Sequence, residues 1–399
     1  MTGTANSPLL ASAEALLQIA ALAQAPLRFG HSVRVLMDGA MAFPAMLAVI
    51  RSAQQWVVFE NFIMANDQTG AQFTAALEQA RRRGAAVRVL YDPIGTLLVR
   101  GGSAGRRLRQ ADAEVRPFRP LSMMAPWSWL RLRHRDHRKL LIADGRFAVV
   151  GGLCIADHWA PADQGGSGWR DTAMLLRGPA VADLTVAFER MWKRATHDTV
   201  HFPTLTHEQH IGALGSAKGD AAAMVVGDRP GTRRVAAIYE WLCDHAESSI
   251  ELTDAYFVAP RGVLDALIRA ARRGVLVRLL LPGRNNHPVA GLAARRIYEP
   301  LLEAGAEIYE WSGMMMHAKT IVVDGVVAMI GSSNLDPLSL HRNYELNVLV
   351  GDPRTGQRMR DVFRADLRHV ARVQLEDWRR RPLSARIAER VAAVFSFNL

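Results

Sequence analysis

Two short segments of the sequence carry histidine, lysine and aspartate at the same spacing. In His137–Asp144 the lysine is Lys139, and in His317–Asp324 it is Lys319. The residues after each lysine are apolar and predict a strand, in which residues i and i+2 project from the same face. Each histidine is therefore expected beside its lysine. An imidazole transfers protons or attacks as a nucleophile, and an ammonium group neutralises developing negative charge, so both segments indicate chemistry at an anionic centre.

Chance does not explain the repeated spacing. Lysine stands at only four positions (139, 193, 218 and 319) among 49 cationic residues, so half of the lysines fall within these two segments. A lysine at +2 and an aspartate at +7 are expected for about one histidine in 10³. The alternative, two ordinary half-exposed strands, does not account for the same spacing twice.

The elements around the two segments predict a duplicated unit. Arg83–Leu90 resembles Arg273–Leu280, and His137–Gly152 resembles His317–Ser332, in the same order along the chain. A strand-like apolar run and an amphipathic helical pattern precede each copy of the first pair, and a glycine ends each helix. The predicted strands are Trp56–Ile63 and Ile250–Val258, the predicted helices are Ala71–Arg83 and Leu264–Arg273, and the glycines are Gly84 and Gly274.

We therefore expect two homologous α/β/α sandwich halves with mixed sheets, related by a pseudo-twofold axis, with the active site at their seam. The helices Ala180–Thr196 and Val289–Gly305 and the strand Ala306–Trp311 complete these halves. The expected divisions are an N-terminal amphipathic helix (1–30), a first half (31–200), a linker (201–222), a second half (223–370) and a basic helical tail (371–399).

The duplicated motif resembles the signature of the phospholipase D superfamily, HxKxxxxD followed by G-S/G-x-N, over roughly residues 30–370. Further stretches are similar to the bacterial cardiolipin synthases, in particular to short members without transmembrane segments. These stretches are Tyr91–Gly95, Trp169–Asp171, Arg177–Ala180, Ala255–Pro260 and Asn343–Glu345.

This resemblance implies phosphatidyl transfer through a phosphohistidine. One imidazole attacks phosphorus, and the other gives a proton to the leaving alkoxide and later deprotonates the incoming alcohol. The resemblance assigns His137 as the nucleophile, although the residues alone do not distinguish it from His317. Lys139 and Lys319 would neutralise the phosphate oxygens.

The resemblance also assigns the remaining site residues. Each histidine would pair with an acid of the opposite half, His317 with Asp171 and His137 with Glu345. Asn334 and Ser332 would bind the phosphate. The motif aspartates Asp144 and Asp324 belong to the site on family grounds, but they are expected to hold loops more than to touch substrate.

Three features qualify this assignment. Cys154 stands where the family pattern has asparagine in the first half, and it is a poor hydrogen-bond donor. Cys154 is predicted to be a small buried apolar residue, with a redox role as the alternative. His134 and His137 form an HxxH pair without further metal-ligand spacing, and His287 fits either a substrate-proximal loop or a surface turn. We expect no metal and no cofactor.

Composition narrows the partners. The chain has 399 residues, 49% hydrophobic and 22% charged, which excludes disorder, and its two cysteines exclude a disulfide framework. The formal charge of +11 favours a polyanion, which includes nucleic acid, an anionic membrane surface or a phosphorylated substrate. We expect an anionic phospholipid surface, with phosphatidylglycerol and a second phospholipid as substrates and nucleic acid as the weaker candidate; the oligomeric state is left open.

Several segments suit a lipid surface. No uninterrupted apolar run predicts a transmembrane helix, so we expect a bacterial protein that is peripheral on the cytoplasmic face of the inner membrane. Met123–Arg133 joins methionine, tryptophan and arginine before the first motif, and Met314–Met316 precede the second, with a core-packed loop as the alternative. Pro382–Phe395 is a cationic amphipathic helix, with Leu383, Ile387, Val391 and Val394 on one face. For this helix and for Leu9–Leu22, simple packing on the core is the alternative.

Three other functions use the same features. A hydrolytic phospholipase D would take water as acceptor, a metal-independent nuclease would also suit the positive charge, and a lipid-binding protein without catalysis is suggested by Cys154 alone. Intact histidine and lysine in both motifs argue against the last.

Overall fold

Seven strands of the first half form one side of a mixed sheet. The structure, a computed structural model, describes residues 9–98, 103–120, 133–202 and 219–395. The strands are β1 (Arg28–Met37), β2 (Trp56–Asn61), β3 (Ala86–Tyr91), β4 (Glu114–Pro117), β5 (Leu140–Ala143), β6 (Phe147–Gly151) and β7 (Thr172–Arg177). They lie in the order β1-β7-β6-β5-β2-β3-β4, in which β2, β3 and β4 are parallel and the other pairs antiparallel.

The second half repeats this arrangement. Its strands are β8 (Ala221–Asp228), β9 (Ser249–Thr253), β10 (Leu276–Pro282), β11 (Glu307–Trp311), β12 (Thr320–Val323), β13 (Val327–Gly331), β14 (Glu345–Gly351) and β15 (Val370–Arg372). Their order, β8-β14-β13-β12-β9-β10-β11, matches the first half strand for strand, and β15 adds one antiparallel edge. This correspondence confirms the predicted pair of α/β halves with mixed sheets.

The two half-sheets are joined edge to edge by β1 and β8. These strands pair antiparallel, with Arg28 opposite Ala223 and His31 opposite Ala221. The buried His31 ring fixes the junction, since its Nδ1 donates to the Ala221 carbonyl (2.9 Å) and its Nε2 accepts from the Ala180 amide (3.0 Å). β1 begins before residue 31 and β8 before residue 223, so the expected domain limits lie inside the junction.

Helices cover the sheet. They are α1 (Ala13–Ala23), α2 (Asp38–Ser52), α3 (Gln68–Arg82), α4 (Pro93–Leu98), α5 (Ser103–Gln110), α6 (Ala180–Thr196), α7 (Arg234–His245), α8 (Arg261–Arg272), α9 (Pro288–Arg295), α10 (Tyr298–Glu303), α11 (Pro337–His341), α12 (Pro353–Asp366), α13 (Leu375–Arg379) and α14 (Leu383–Phe395). Short 3₁₀ turns lie at Leu9–Ala11, Ala162–Gln164 and Leu367–His369.

One predicted helix is wrong in its extent. The pattern over Val289–Gly305 predicts a continuous helix, but the structure has two, α9 and α10, separated at Arg296 and Ile297. The physical reason is Pro300, whose ring would clash with the carbonyl of Arg296 in an unbroken helix. The closing helix of the first half, Ala180–Thr196, is confirmed at both ends.

The cores of the two halves are not independent. One buried cluster combines Val58, Ile142 and Phe188 of the first half with Ile330 and Val348 of the second. The N-terminal helix α1 packs through Leu16 and Ile19 into the second-half core, beside α7. For α1, packing on the core is therefore the correct alternative.

Candidate active site

The two histidines meet at the seam because each motif segment pairs with backbone of the other half. The His137 amide donates to the Tyr344 carbonyl (3.0 Å), and the His317 amide donates to the Arg170 carbonyl (2.7 Å). Tyr344 and Arg170 each stand directly before an acidic residue. A short parallel bridge therefore delivers one carboxylate to the histidine of the opposite half.

Each imidazole contacts the acid of the opposite half. His137 Nδ1 lies 3.0 Å from Glu345 Oε1, and His317 Nδ1 lies 2.7 Å from Asp171 Oδ2. Both carboxylates are fully buried, whereas 12% of the His137 side chain is exposed. These are the pairs that the resemblance implies. A carboxylate on Nδ1 fixes the tautomer that leaves Nε2 unprotonated and nucleophilic.

The two lysines are buried beside the histidines, as the strand geometry predicts. Lys319 Nζ lies 2.9 Å from His317 Nδ1 and also donates to the His317 carbonyl. Lys139 Nζ donates to the His137 carbonyl and lies 5.3 Å from the centre of the Phe62 ring. Because Nδ1–H of His317 donates to Asp171, Nδ1 cannot accept a hydrogen bond from Lys319, and the lysine acts on the ring only through its charge.

Burial and the lysine charges disfavour the protonated form of both histidines before a substrate anion binds. Burial lowers the pKa of His137, and Lys139 adds to this effect while Glu345 opposes it. Burial, together with Lys319, lowers the pKa of His317 to about 3 despite Asp171. Burial also lowers the pKa of Lys319 to about 8. Burial alone would raise the pKa of Asp171, but His317 and Lys319 bring it below its ordinary value.

The motif aspartates lie at the opposite ends of β5 and β12, about 16 Å along the chain from the lysines. Asp144 accepts from the amides of Gln54, Gln55 and Trp56 at 2.8–2.9 Å. Asp324 accepts from those of Glu247, Ser248 and Ser249 at 2.8–3.0 Å. Both aspartates have positive φ, near 50°, and tie the start of a neighbouring strand to the motif. This is the loop-holding position expected for them.

Ser332 and Asn334, the two phosphate-binding residues expected in the second half, have different contacts. Ser332 donates to Glu345 and accepts from the Leu346 amide (2.9 Å), so its hydroxyl is already engaged. In this position Ser332 supports the acid, and its contact with phosphate stays a prediction. The buried Asn334 donates from Nδ2 to Ser339 (3.3 Å), and its Oδ1 has no partner among the described residues. Nδ2 has a second hydrogen that can donate to a phosphate oxygen, whereas Oδ1 can only accept.

The first half differs at the matching positions. Gly152 replaces Ser332, and a side chain there would lie 2.3 Å from Asp171 Oδ1. Trp159 supplies the missing donor, since its Nε1 lies 2.8 Å from Asp171 Oδ2. Its ring centre lies 5.1 Å from that of His317. The sequence analysis missed Trp159, because the indole reaches Asp171 from an irregular loop that has no periodicity to indicate it.

Cys154 is buried beside the same charges. Burial raises the pKa of its thiol, although Lys139 and Lys319 oppose this. A protonated buried thiol is unreactive, which supports the small-hydrophobe interpretation over the redox one.

Two buried arginines, also missed, position the motif segments. Arg135 forms a forked ion pair with Asp92 at the end of β3 (2.8 and 2.9 Å), and Asp92 also accepts from the Asp136 amide. Arg170 forms a forked pair with Asp366 of α12 (2.8 and 2.9 Å). The segments that lead to His137 and Asp171 are thereby fixed.

The other candidates lie outside this centre or outside the described residues. His134 Nδ1 donates to the Arg342 carbonyl (2.9 Å), and the described residues hold no group of three or more metal-ligating side chains. His287 caps α9, with its ring 5.5 Å from that of Tyr256, which in turn lies 6.1 Å from His317. Residues 121–132, most of the predicted Met123–Arg133 segment, and residues 203–218 of the expected linker are not described.

A duplicated α/β half that gives one His-Lys pair and one acid to a shared centre defines a protein of the phospholipase D class. Comparison with known proteins agrees with this geometry. The family model described as "Cardiolipin synthase, PLD-like domain" matches residues 46–192 and 242–367. The chain belongs to this cardiolipin synthase family.

Curated relatives match over almost the whole chain. A cardiolipin synthase of Halalkalibacterium halodurans is 32% identical over 94% of this chain and 74% of its own length. The major cardiolipin synthase ClsA of Bacillus subtilis is 32% identical over 92% of this chain and 75% of its own.

Solved structures share the fold at low identity. A phosphatidylserine synthase of Haemophilus influenzae superposes with a TM-score of 0.71 at 14% identity, over 94% of this chain and 97% of that one. A polyphosphate kinase of Porphyromonas gingivalis gives a TM-score of 0.58 at 12% identity, over 92% of this chain and 54% of that one.

Proposed function

We propose that this protein is a phosphatidyltransferase that makes cardiolipin from phosphatidylglycerol and a second phosphatidyl lipid. The observation that carries the proposal is the pair of histidines with crossed acids and two buried lysines, found in a member of the cardiolipin synthase family. Such a centre supplies a nucleophile, a proton donor and two fixed cations for one phosphodiester.

In the first step, His137 Nε2 attacks phosphorus while Glu345 accepts a hydrogen bond from Nδ1. The P–N bond forms and the P–O bond to the donor headgroup breaks. The departing alkoxide takes a proton from His317 Nε2. The bound phosphodiester helps His317 to hold that proton, because its negative charge offsets the lysines that lower the pKa of His317.

In the second step, neutral His317 takes the proton of a glycerol hydroxyl of phosphatidylglycerol. The resulting oxygen attacks phosphorus, the P–N bond breaks, and cardiolipin leaves with His137 restored. Lys139, Lys319 and the second Nδ2–H of Asn334, which is not used by Ser339, donate to the phosphate oxygens in both steps. Asp144 and Asp324 act at a distance, by holding the strands that carry the lysines.

The relatives and the net charge favour a location at a membrane surface. The named relatives indicate association with bacterial membranes. Among the described residues, none of the helices has the length and apolarity needed to cross a bilayer. A net charge of +11 supports attachment to anionic lipid, for which we propose the cytoplasmic face of the inner membrane.

The test uses purified protein with mixed phosphatidylglycerol and phosphatidylethanolamine vesicles in EDTA, with lipid mass spectrometry as the readout. We expect cardiolipin from the wild type, and a loss of at least about 10³-fold in His137→Ala and His317→Ala. Enzyme quenched with denaturant at neutral pH, which spares the acid-labile P–N bond, should carry a phosphatidyl adduct on the His137 peptide, whereas an adduct on His317 would reverse the two roles. Phosphatidic acid as the only product would identify a hydrolase. Cleavage of single-stranded DNA without any lipid product would identify a nuclease.

A further inference from the structure

The C-terminal helix α14 exposes its apolar face to solvent. A helix that only packs on its own domain would bury that face. Its large apolar side chains stay in solvent, with exposed fractions of 70% at Leu383, 51% at Ile387, 50% at Val391 and 68% at Val394. The spacing of 4, 4 and 3 residues places them on one stripe. The opposite side packs through Ala392 and Ala393 on Ala293 of α9.

The N-terminal helix provides the contrast. The apolar face of α1 is buried, with Leu16 at 5% and Ile19 at 0% exposure. Within α1, whose residues are all described, Leu17 is the one large apolar side chain that is exposed. The two helices have similar amphipathic sequences, but only α14 leaves an apolar stripe without a cover among the described residues.

Charge surrounds the stripe of α14. Arg390 is exposed and stands one turn after Arg386, so it borders the stripe. The segment Trp378–Phe395 carries five arginines against one acid, Glu389, which is buried and paired with Arg381 (3.2 Å). Glu299 and Glu303 of α10 pair with Arg379, and Glu299 also lies 3.8 Å from Arg386. Arg380 and Arg390 have no acidic partner among the described residues, and they supply the uncompensated charge. Arginines that flank exposed aliphatic side chains match a surface that is anionic outside and apolar beneath.

Helix α14 lies near the sheet edge that carries the active site. α14 rests on α9, which follows the carboxyl end of β10, and α4 follows that of β3. β3 and β10 are parallel to β2 and β9, so these helices share the edges next to the two histidines. Further exposed apolar residues stand there, namely Leu97 of α4, Val289 of α9 and Met314 before His317.

We propose that the apolar stripe of α14 inserts into an anionic phospholipid surface and sets the mouth of the active site against it. The inference rests on the proposed function for its substrate, but the contact itself does not require turnover. Leu97, Val289 and Met314 extend the contact around the mouth. A diacyl phosphodiester then reaches the histidines without leaving the bilayer.

The test compares Ile387→Asp/Val391→Asp with a matched control, Leu17→Asp, which changes an equally exposed leucine on α1. The readout is co-sedimentation with vesicles of equimolar phosphatidylglycerol and phosphatidylcholine, and with phosphatidylcholine alone. We expect the double variant to bind anionic vesicles about tenfold more weakly or worse, and the control to bind as the wild type. Wild-type binding should be weaker on phosphatidylcholine alone.

Activity separates this proposal from the proposed function. Turnover of dihexanoyl-phosphatidylglycerol below its micellar concentration should be unchanged in the double variant, while turnover in vesicles falls with binding. If the wild type forms no cardiolipin but the double variant still loses vesicle binding, the proposed function fails and the docking surface stands.

Three results would overturn the proposal. They are wild-type vesicle binding by the double variant, an equal loss in Leu17→Asp, or a fall in solution mass by light scattering in the double variant, which would make the stripe a contact between copies of the chain. Unchanged circular dichroism melting excludes misfolding, and Leu383→Asp/Val394→Asp provides a second pair for the same comparison.

Discussion

The two active-site acids receive their supporting hydrogen bonds from different residue types. Glu345 is held by the hydroxyl of Ser332, and Asp171 by the indole of Trp159. The indole also packs against His317, so one side chain fixes both the acid and the base. The histidines and lysines were predictable because the motif is local and repeated, whereas the acids followed only from the family resemblance. Trp159 was not, because its role depends on an irregular loop and a long-range contact.

Trp159→Phe tests this positioning role. The variant keeps the ring but removes the donor to Asp171, a hydrogen bond to a charged group, so kcat should fall about tenfold with little change in KM. The carboxylate, less compensated, should shift the limb of the pH profile that reports His317 to higher pH. The measurement is kcat and KM against pH, with Trp192→Phe, another buried tryptophan, as the control. An unchanged profile with only lower stability would assign Trp159 to packing.

Lys319 should limit activity at alkaline pH. Its pKa of about 8 means that its charge is present below that pH and is lost as the pH rises through it. kcat/KM should therefore fall above about pH 8, because the phosphate loses one of two cations. Lys319→Arg stays charged throughout, so its activity, although lower, should lack this limb. An identical alkaline limb in the variant would place the titration elsewhere.

The seam depends on elements that carry residues from one half to the other. Arg170 precedes Asp171, bonds the His317 segment through its backbone, and reaches α12 of the second half through its side chain. Helix α6 was predictable from its periodicity, whereas the break between α9 and α10 required attention to Pro300. The forks of Arg135 and Arg170 were not predictable, since nothing in the local sequence shows which distant carboxylate a buried arginine meets.

Arg170→Ala should destabilise the protein, because the carboxylates that pair with Arg170 would be left without a cation. The buried Asp366 would lose its cation, at a cost of about 3 kcal/mol in the free energy of unfolding, and Asp38, 39% exposed, would add little to this cost. Arg269→Ala is the matched control, because its pair with Asp244 is half exposed and should cost less than about 1 kcal/mol. Urea unfolding measures both. Equal effects would mean that the Arg170 network adds no more than a surface pair.

At the scale of the whole molecule, the sequence predicts the duplication but not how closely the halves are joined. The repeats indicate two α/β units, and the strand order confirms them. The edge pairing of β1 with β8, the shared core and the packing of α1 on the second half have no local signal. They follow from complementary surfaces that a single repeat does not display.

The pairing of each histidine with an acid of the other half also affects how the two halves can diverge in sequence. Each half holds a histidine whose partner carboxylate belongs to the other half, so a chain with only one half would need two identical copies to complete a centre. Two such copies would change together, because any substitution would appear on both sides. Once both halves lie in one polypeptide, each side is free to drift alone. The two halves differ at matching positions in this way, with Gly152 and Cys154 in the first where the second has Ser332 and Asn334. Both halves are nevertheless needed for every turnover.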